Sequence, residues 1–158
     1  SGLLRANVLW FHAKRGTTDE TAVAEVVRIS PKALVVRSEG CVLGARDGNG
    51  RVRELKGMRI VAAAGIARPA DLQHSLQQVG ADVLELSTYP DHHDFGEHDA
   101  HTLLAIRERV KAEAIVVTAK DAVKLRPFWV SRPEAWVVVD YGVRITDGGA
   151  ELAALLRS

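Results

Sequence analysis

A chain of 158 residues with 47% apolar and 26% charged side chains has the size and composition of one globular domain, with or without an appendage, which excludes disorder as its main state. Its 21 Lys and Arg against 20 Asp and Glu, a net charge of +1, exclude the whole-surface mode of nucleic-acid binding, so no nucleic-acid partner is expected. The single cysteine, Cys41, excludes an internal disulfide framework, and no apolar run approaches the ~20 residues that cross a bilayer.

The charge is unevenly spread. Residues 1–57 hold 10 basic and 6 acidic side chains, and residues 58–158 hold 11 basic and 14 acidic, so +4 faces −3 and two regions with different surroundings are expected. The N-terminus lacks the basic start and continuous apolar core of a signal peptide. Its opening, Ser1-Gly2 without methionine, is expected of a processed or excised product.

In chain order, residues 6–13, carried on to Lys14, form a short apolar run that predicts a buried strand. A polar turn from Arg15 to Glu20 follows, then Val23 to Ser30 and Ala33 to Ser38, whose β-branched residues predict two more strands. Cys41 to Ala45 and Arg51 to Leu55 flank Asp47-Gly48-Asn49-Gly50 and predict a hairpin. Residues 1–56 therefore read as a mainly β segment.

A regular alternation begins at Lys56. Met58 to Ala64 predicts a strand. Pro69 stands at a first helical position, Leu72, Leu76 and Val79 share one face, and Gly80 ends that helix. Asp82 to Ser87 predicts the next strand, and Glu97 to Glu113 a helix whose first turn carries Glu97 and Asp99 where the dipole favours them. Ala114 to Thr118 predicts a strand, Ala122 to Arg126 a short helix, Ala135 to Val139 a strand, and Thr146 or Asp147 a cap for a last helix bearing Leu152, Leu155 and Leu156. Such repetition predicts an α/β fold: a Rossmann-like, mostly parallel sheet with flanking helices, preceded by a β-rich N-terminal segment.

Open parallel sheets bind ligands beyond the carboxyl ends of their strands. Here those ends lead into Gly65 to Pro69, Tyr89 to Phe95, Thr118 to Asp121 and Asp140 to Gly142. The densest stretch, Pro90 to His101, holds Asp91, His92, His93, Asp94, Glu97, His98, Asp99 and His101. Three uses fit it: a polar loop leading into an exposed helix start, acid–base chemistry in which a carboxylate orients a histidine, or a metal site using His98 and His101 one helical turn apart. Lys120 and Lys124 suit either phosphate or plain solvation. Arg68 suits either an anion at the helix start or an exposed loop charge. Asp121 reads as a helix cap, Trp10, Trp129 and Trp136 as packing residues, and Cys41 as structural. There is no Gly-x-x-x-x-Gly-Lys-Ser/Thr loop, no Gly-x-Gly-x-x-Gly and no Gly-x-Ser-x-Gly.

Three motifs in this order, Gly65-Ile66-Ala67-Arg68-Pro69, Tyr89-Pro90-Asp91-His92-His93 and Thr118-Ala119-Lys120-Asp121-Ala122-Val123-Lys124-Leu125, resemble the C-terminal part of the tetraacyldisaccharide 4'-kinase family, the lipid A kinases. The likeness runs from about Met58 to Val139 and reaches back more weakly to Leu4–Leu9. It implies residues 1–56 as a β-rich linker segment with a hairpin and residues 57–158 as a C-terminal α/β domain, with the P-loop domain that such enzymes carry first as the missing partner.

The resemblance implies transfer of the ATP γ-phosphate, with magnesium, to the 4'-position of a lipid A precursor at the cytoplasmic face of the inner membrane. For this chain alone it implies no cofactor, no metal ligand and no turnover. Asp91 and His92, the expected catalytic residues of this chain, match the family's Asp-His motif, whose histidine the resemblance implies to assist a catalytic aspartate of the missing domain. Arg68, Thr118, Lys120, Asp121 and Lys124 fall in the motifs expected to bind substrate and shape the interdomain cleft. Two positions depart from the pattern: Ala119 stands for the usual glutamate and Ala67 for a common glycine. Two other readings stay open. One is a stand-alone, non-enzymatic binding module for a sugar, nucleotide or protein partner. The other is a small metal-dependent hydrolase using His92, His98 and His101.

Overall fold

The computed structural model describes residues 5–157, so Ser1, Gly2 and Leu4, which entered the sequence reading, lie outside the described residues. The elements run β1 (Val8–His12), α1 (Glu20–Ile29), β2 (Leu34–Asp47), β3 (Arg59–Ala64), α2 (Pro69–Gln78), β4 (Asp82–Thr88), α3 (Glu97–Arg109), β5 (Ala114–Thr118), α4 (Ala119–Trp129), β6 (Trp136–Asp147) and α5 (Gly149–Leu155), with a 3-10 turn at Pro133–Ala135. The six strands follow the order β1-β2-β6-β5-β3-β4. The chain divides into two compact units, Ser1–Gly40 with Val143–Ser158 and Cys41–Gly142.

The second unit carries the parallel sheet. β3 pairs in parallel with β4 on one side and β5 on the other, and β5 pairs in parallel with β6. Ile60–Ala64 and Ala114–Thr118 are buried throughout, as strands covered on both faces must be. The period of two then divides the core. Ile60, Ala62, Ala64 and Val116 pack with Leu72 and Leu76 of α2. Ala63, Ile115 and Val117 pack with Leu103 of α3 and Leu125 and Trp129 of α4 on the other face. The Trp129 indole N–H donates to the Ala100 carbonyl at 3.3 Å, joining α4 to α3.

In the first unit, Val8–His12 pairs in parallel with Leu34–Ser38. The indole N–H of Trp10, a half-exposed residue, donates to Ser38 Oγ at 2.7 Å.

Four local expectations are corrected. Val23–Ser30 lies in helix α1, not a strand: Asp19 caps it by accepting the Thr21 and Ala22 N–H groups, Glu20 lies in its first turn, and Val23 is buried. The hairpin's first arm is the end of the long β2, while the second is reduced to an isolated Arg46–Val52 bridge after the turn closed by Asp47 and Gly50. The short helix around Ala122 begins at Ala119 and runs to Trp129, because Thr118 caps it. The last helix is capped by Gly148, since Thr146 and Asp147 still belong to β6, and none of its residues is buried.

Candidate functional site

Within the second unit, the segments after β3, β4 and β5 emerge at one edge of the sheet, because these strands are parallel neighbours. Asp121 ties two of them together. Its Oδ2 accepts the Gly65 N–H and the Thr118 hydroxyl, each at 3.0 Å, and Thr118 Oγ1 in turn accepts the Asp121 N–H at 3.3 Å. Thr118 is thus the N-cap of α4, and Asp121 is the third helical residue rather than the cap. Both are buried, at 5% and 2% exposure, so they act as framework beneath the edge.

The Asp91–His92 pair stands above this framework. The Pro90 carbonyl accepts the His93 N–H at 3.0 Å, closing a turn in which His92 takes φ +63°. That left-handed position falls most often to glycine, with asparagine, aspartate and histidine the commonest side chains there. Asp91 Oδ1 accepts from Lys120 Nζ at 3.1 Å and from the His92 N–H at 3.0 Å. His92 Nε2 lies 3.7 Å from Asp91 Oδ2, near enough for electrostatic attraction and too far for a direct hydrogen bond. The imidazole is 80% exposed. The Lys120 hydrogen bond, followed by the nearby His92 ring and N–H, holds the Asp91 carboxyl below the usual aspartate range.

Two anchors hold this turn from behind. Lys124 Nζ donates to the His93 carbonyl at 2.5 Å and the His92 carbonyl at 3.4 Å, and lies 3.7 Å from the Asp94 carboxylate. His93 Nε2 meets Asp99 Oδ2 at 3.0 Å, and the same oxygen accepts the Gly96 N–H that opens α3. Burial alone raises the Asp99 pKa, but the Gly96 N–H and the His93 ring outweigh it and leave the carboxyl below its usual range. The rings of Tyr89, His93 and Phe95 pack with centroids 4.7–4.8 Å apart. Burial, then the Asp99 charge, pushes the Tyr89 phenol up.

The structure therefore brings Asp91, His92, Lys120 and Lys124 into one cluster, with Thr118 and Asp121 beneath it. Arg68 is the N-cap residue of α2 on the same edge; its guanidinium is half exposed and 4.0 Å from Asp71 in its own first turn. Beside Ala119, a cleft of about 510 Å³ is lined by residues including Leu43, Arg46, Val138 and Asp140. His98 and His101 join no metal-binding group: among the described residues no three or more His, Cys, Asp or Glu side chains gather to hold an ion. The anchoring role of His93 with Asp99 did not emerge from the sequence, although Asp99, three residues after Gly96, stands where a side chain reaches back to a helix start. Among the described residues no helix is long and apolar enough to cross a membrane.

Comparison with known proteins agrees with the motifs. The whole chain, residues 1–158, matches the family described as LpxK, tetraacyldisaccharide-1-P 4'-kinase. The tetraacyldisaccharide 4'-kinase of Paramagnetospirillum magneticum is 44% identical over 125 residues, covering 78% of this chain and 34% of that protein. The enzyme of the same name from Syntrophus aciditrophicus is 33% identical over 121 residues, covering 70% of this chain and 32% of that protein. This chain thus spans about a third of the length of these relatives. A crystal structure of LpxK from Aquifex aeolicus in complex with ATP matches with a TM-score of 0.49 and 14% identity, over 96% of this chain and 51% of that one. The chain belongs to the tetraacyldisaccharide-1-P 4'-kinase family.

Proposed function

We propose that this chain is the C-terminal part of a kinase that transfers the γ-phosphate of ATP to the 4'-position of a tetraacyldisaccharide 1-phosphate, and that alone it does not turn over. In this reading residues 1–56 are the linker and residues 57–158 the C-terminal domain. Its partners are a P-loop domain and a lipid A precursor met at the cytoplasmic face of the inner membrane.

The observation that supports it best is the Asp91–His92 turn at the carboxyl edge, beside the cationic start of α4. Phosphoryl transfer depends mainly on positioning and on neutralising phosphate charge. His92, with its imidazole in solvent, assists proton movement at the attacking hydroxyl. Asp91 steadies that imidazole electrostatically and holds Lys120. Lys120 and Arg68 supply positive charge for phosphate oxygens. Thr118 and Asp121 keep the edge in register, and Lys124 braces the turn.

ATP with magnesium supplies the transferred group and part of the charge neutralisation when bound. The described residues do not fit a magnesium site, because they hold no gathered acidic donor set and Asp91 is paired with Lys120. No step on this chain passes through the ion.

The test compares radiolabelled ATP turnover on tetraacyldisaccharide 1-phosphate by this chain and by a chimera. In the chimera, this chain replaces the matching third of the Paramagnetospirillum enzyme. The chain alone is expected to be silent and the chimera active, with His92→Ala lowering kcat about 100-fold. Turnover by the chain alone, or a chimera indifferent to His92→Ala, overturns the reading.

A further inference from the structure

We propose that Lys124 is a positioning residue whose ammonium, bonded to the backbone carbonyls of His92 and His93, holds the Asp91–His92 turn in the conformation that presents the His92 imidazole. This rests on the reading of His92 given above and adds to it the group that orients that histidine.

The need for such a group comes from the backbone. A side chain at positive φ is uncommon, and although histidine tolerates it better than most residue types, it stays there only where its surroundings favour it. His92 sits at φ +63° at the third position of the Pro90–His93 turn. Glycine would take that position at no steric cost, whereas an imidazole there is held more firmly by contacts from outside the turn.

Helix α4 supplies that restraint through two lysines four residues apart, hence on one face. Lys120 takes the Asp91 side chain at 3.1 Å. Lys124 takes two successive carbonyls, His93 at 2.5 Å and His92 at 3.4 Å. The chemistry of the two contacts differs. A carboxylate partner leaves Lys120 able to exchange toward an incoming phosphate. Lys124 directs its hydrogen bonds into backbone acceptors, with the exposed Asp94 carboxylate 3.7 Å away as a looser partner in the same loop, and is only about a third exposed, so its charge is committed to the turn. On the far side, the His93–Asp99 contact at 3.0 Å fastens the next residue to the start of α3. The turn is therefore gripped from two helices, with the His92 ring as its free tip.

The test reads the turn directly by NMR on the 158-residue chain, so its outcome is independent of turnover. Residual dipolar couplings report the φ of His92. Amide exchange of His93 reports the turn hydrogen bond to Pro90, and the imidazole nitrogen shifts report the ring. Lys124→Met is expected to release His92 from positive φ, to shift its ring signals, and to speed His93 amide exchange by about tenfold or more. Lys124→Arg is expected to restore all three, and Lys120→Met to leave the His92 φ in place. An unchanged His92 φ and unchanged His93 exchange in Lys124→Met overturn the proposal. Should Lys124→Met not fold, the wild-type Lys124 ammonium decides. A slowly exchanging signal coupled through the hydrogen bond to the His93 carbonyl supports the proposal, and a freely exchanging one overturns it.

Discussion

Asp121 and Gly65, 56 residues apart, are joined by a buried hydrogen bond of 3.0 Å from the Gly65 N–H to Asp121 Oδ2. It locks the end of β3 to the first turn of α4 and gives the edge beneath the Asp91–His92 turn a fixed geometry. The packing around it is close, since a Cβ on Gly65 would lie 3.0 Å from the Phe95 ring and 3.3 Å from Asp121 Oδ1.

Asp121→Ala removes the acceptor for both the Gly65 N–H and the Thr118 hydroxyl in a place closed to water. A buried donor left unpaired costs its desolvation, so the loss is expected to be about 3 kcal/mol. Asp121→Asn keeps an oxygen of similar reach and is expected to lose about 1 kcal/mol. Urea unfolding of the three proteins checks the order. Equal stability of wild type and Asp121→Ala would show that the bond contributes nothing.

The Lys120 contact depresses the Asp91 pKa, so Asp91 stays ionised to a lower pH than a free aspartate. Lys120→Met is expected to raise that pKa toward the ordinary value. A carboxyl carbon NMR titration of Asp91 in both proteins measures it. If the titration does not move upward, Lys120 is not the cause.

Asp99 gives a pH dependence of stability with a definite sign. Its folded pKa lies below its unfolded one, so its contribution is fully present above the unfolded aspartate pKa and is lost as pH falls through the folded value. Protonation weakens the acceptor for the Gly96 N–H and the His93 ring together, at a cost near that of losing a helix cap, about 1 kcal/mol. Asp99→Asn is expected to be less stable near neutrality and to show a shallower acid limb. Stability curves for both proteins from neutral pH down through the acid range settle it; parallel acid limbs would count against this account.

Two glycines at positive φ separate strain from collision. Gly50, at φ +80°, has open space around its missing Cβ, so Gly50→Ala is expected to cost about 1 kcal/mol from the left-handed backbone alone. Gly148, at φ +73°, would place a Cβ 2.2 Å from the Val35 carbonyl oxygen. Gly148→Ala is therefore expected to cost about 3 kcal/mol or more and to loosen the start of α5. Thermal unfolding of the pair compares them, and a similar loss at both positions would remove the collision from the explanation.

The parallel core follows from the order of the residues alone. Ala114–Thr118 was legible to the residue, because a strand covered on both faces must be apolar without interruption, and Pro69 marked the start of α2. The three motif segments were legible as an edge because parallel strands send their carboxyl ends the same way. Helix α1 was not: Val23, Val26 and Val27 fit a strand by propensity, and the helix is decided by the Asp19 cap and the burial of Val23. The inner construction of the site arises from the packing of the folded chain. Nothing in the local sequence says that Lys124 meets the carbonyls of residues 31 and 32 positions earlier, or that Asp121 meets Gly65. Those pairings arise when the strands align, and a side chain's partner across such a distance is set by packing rather than by its neighbours in the chain.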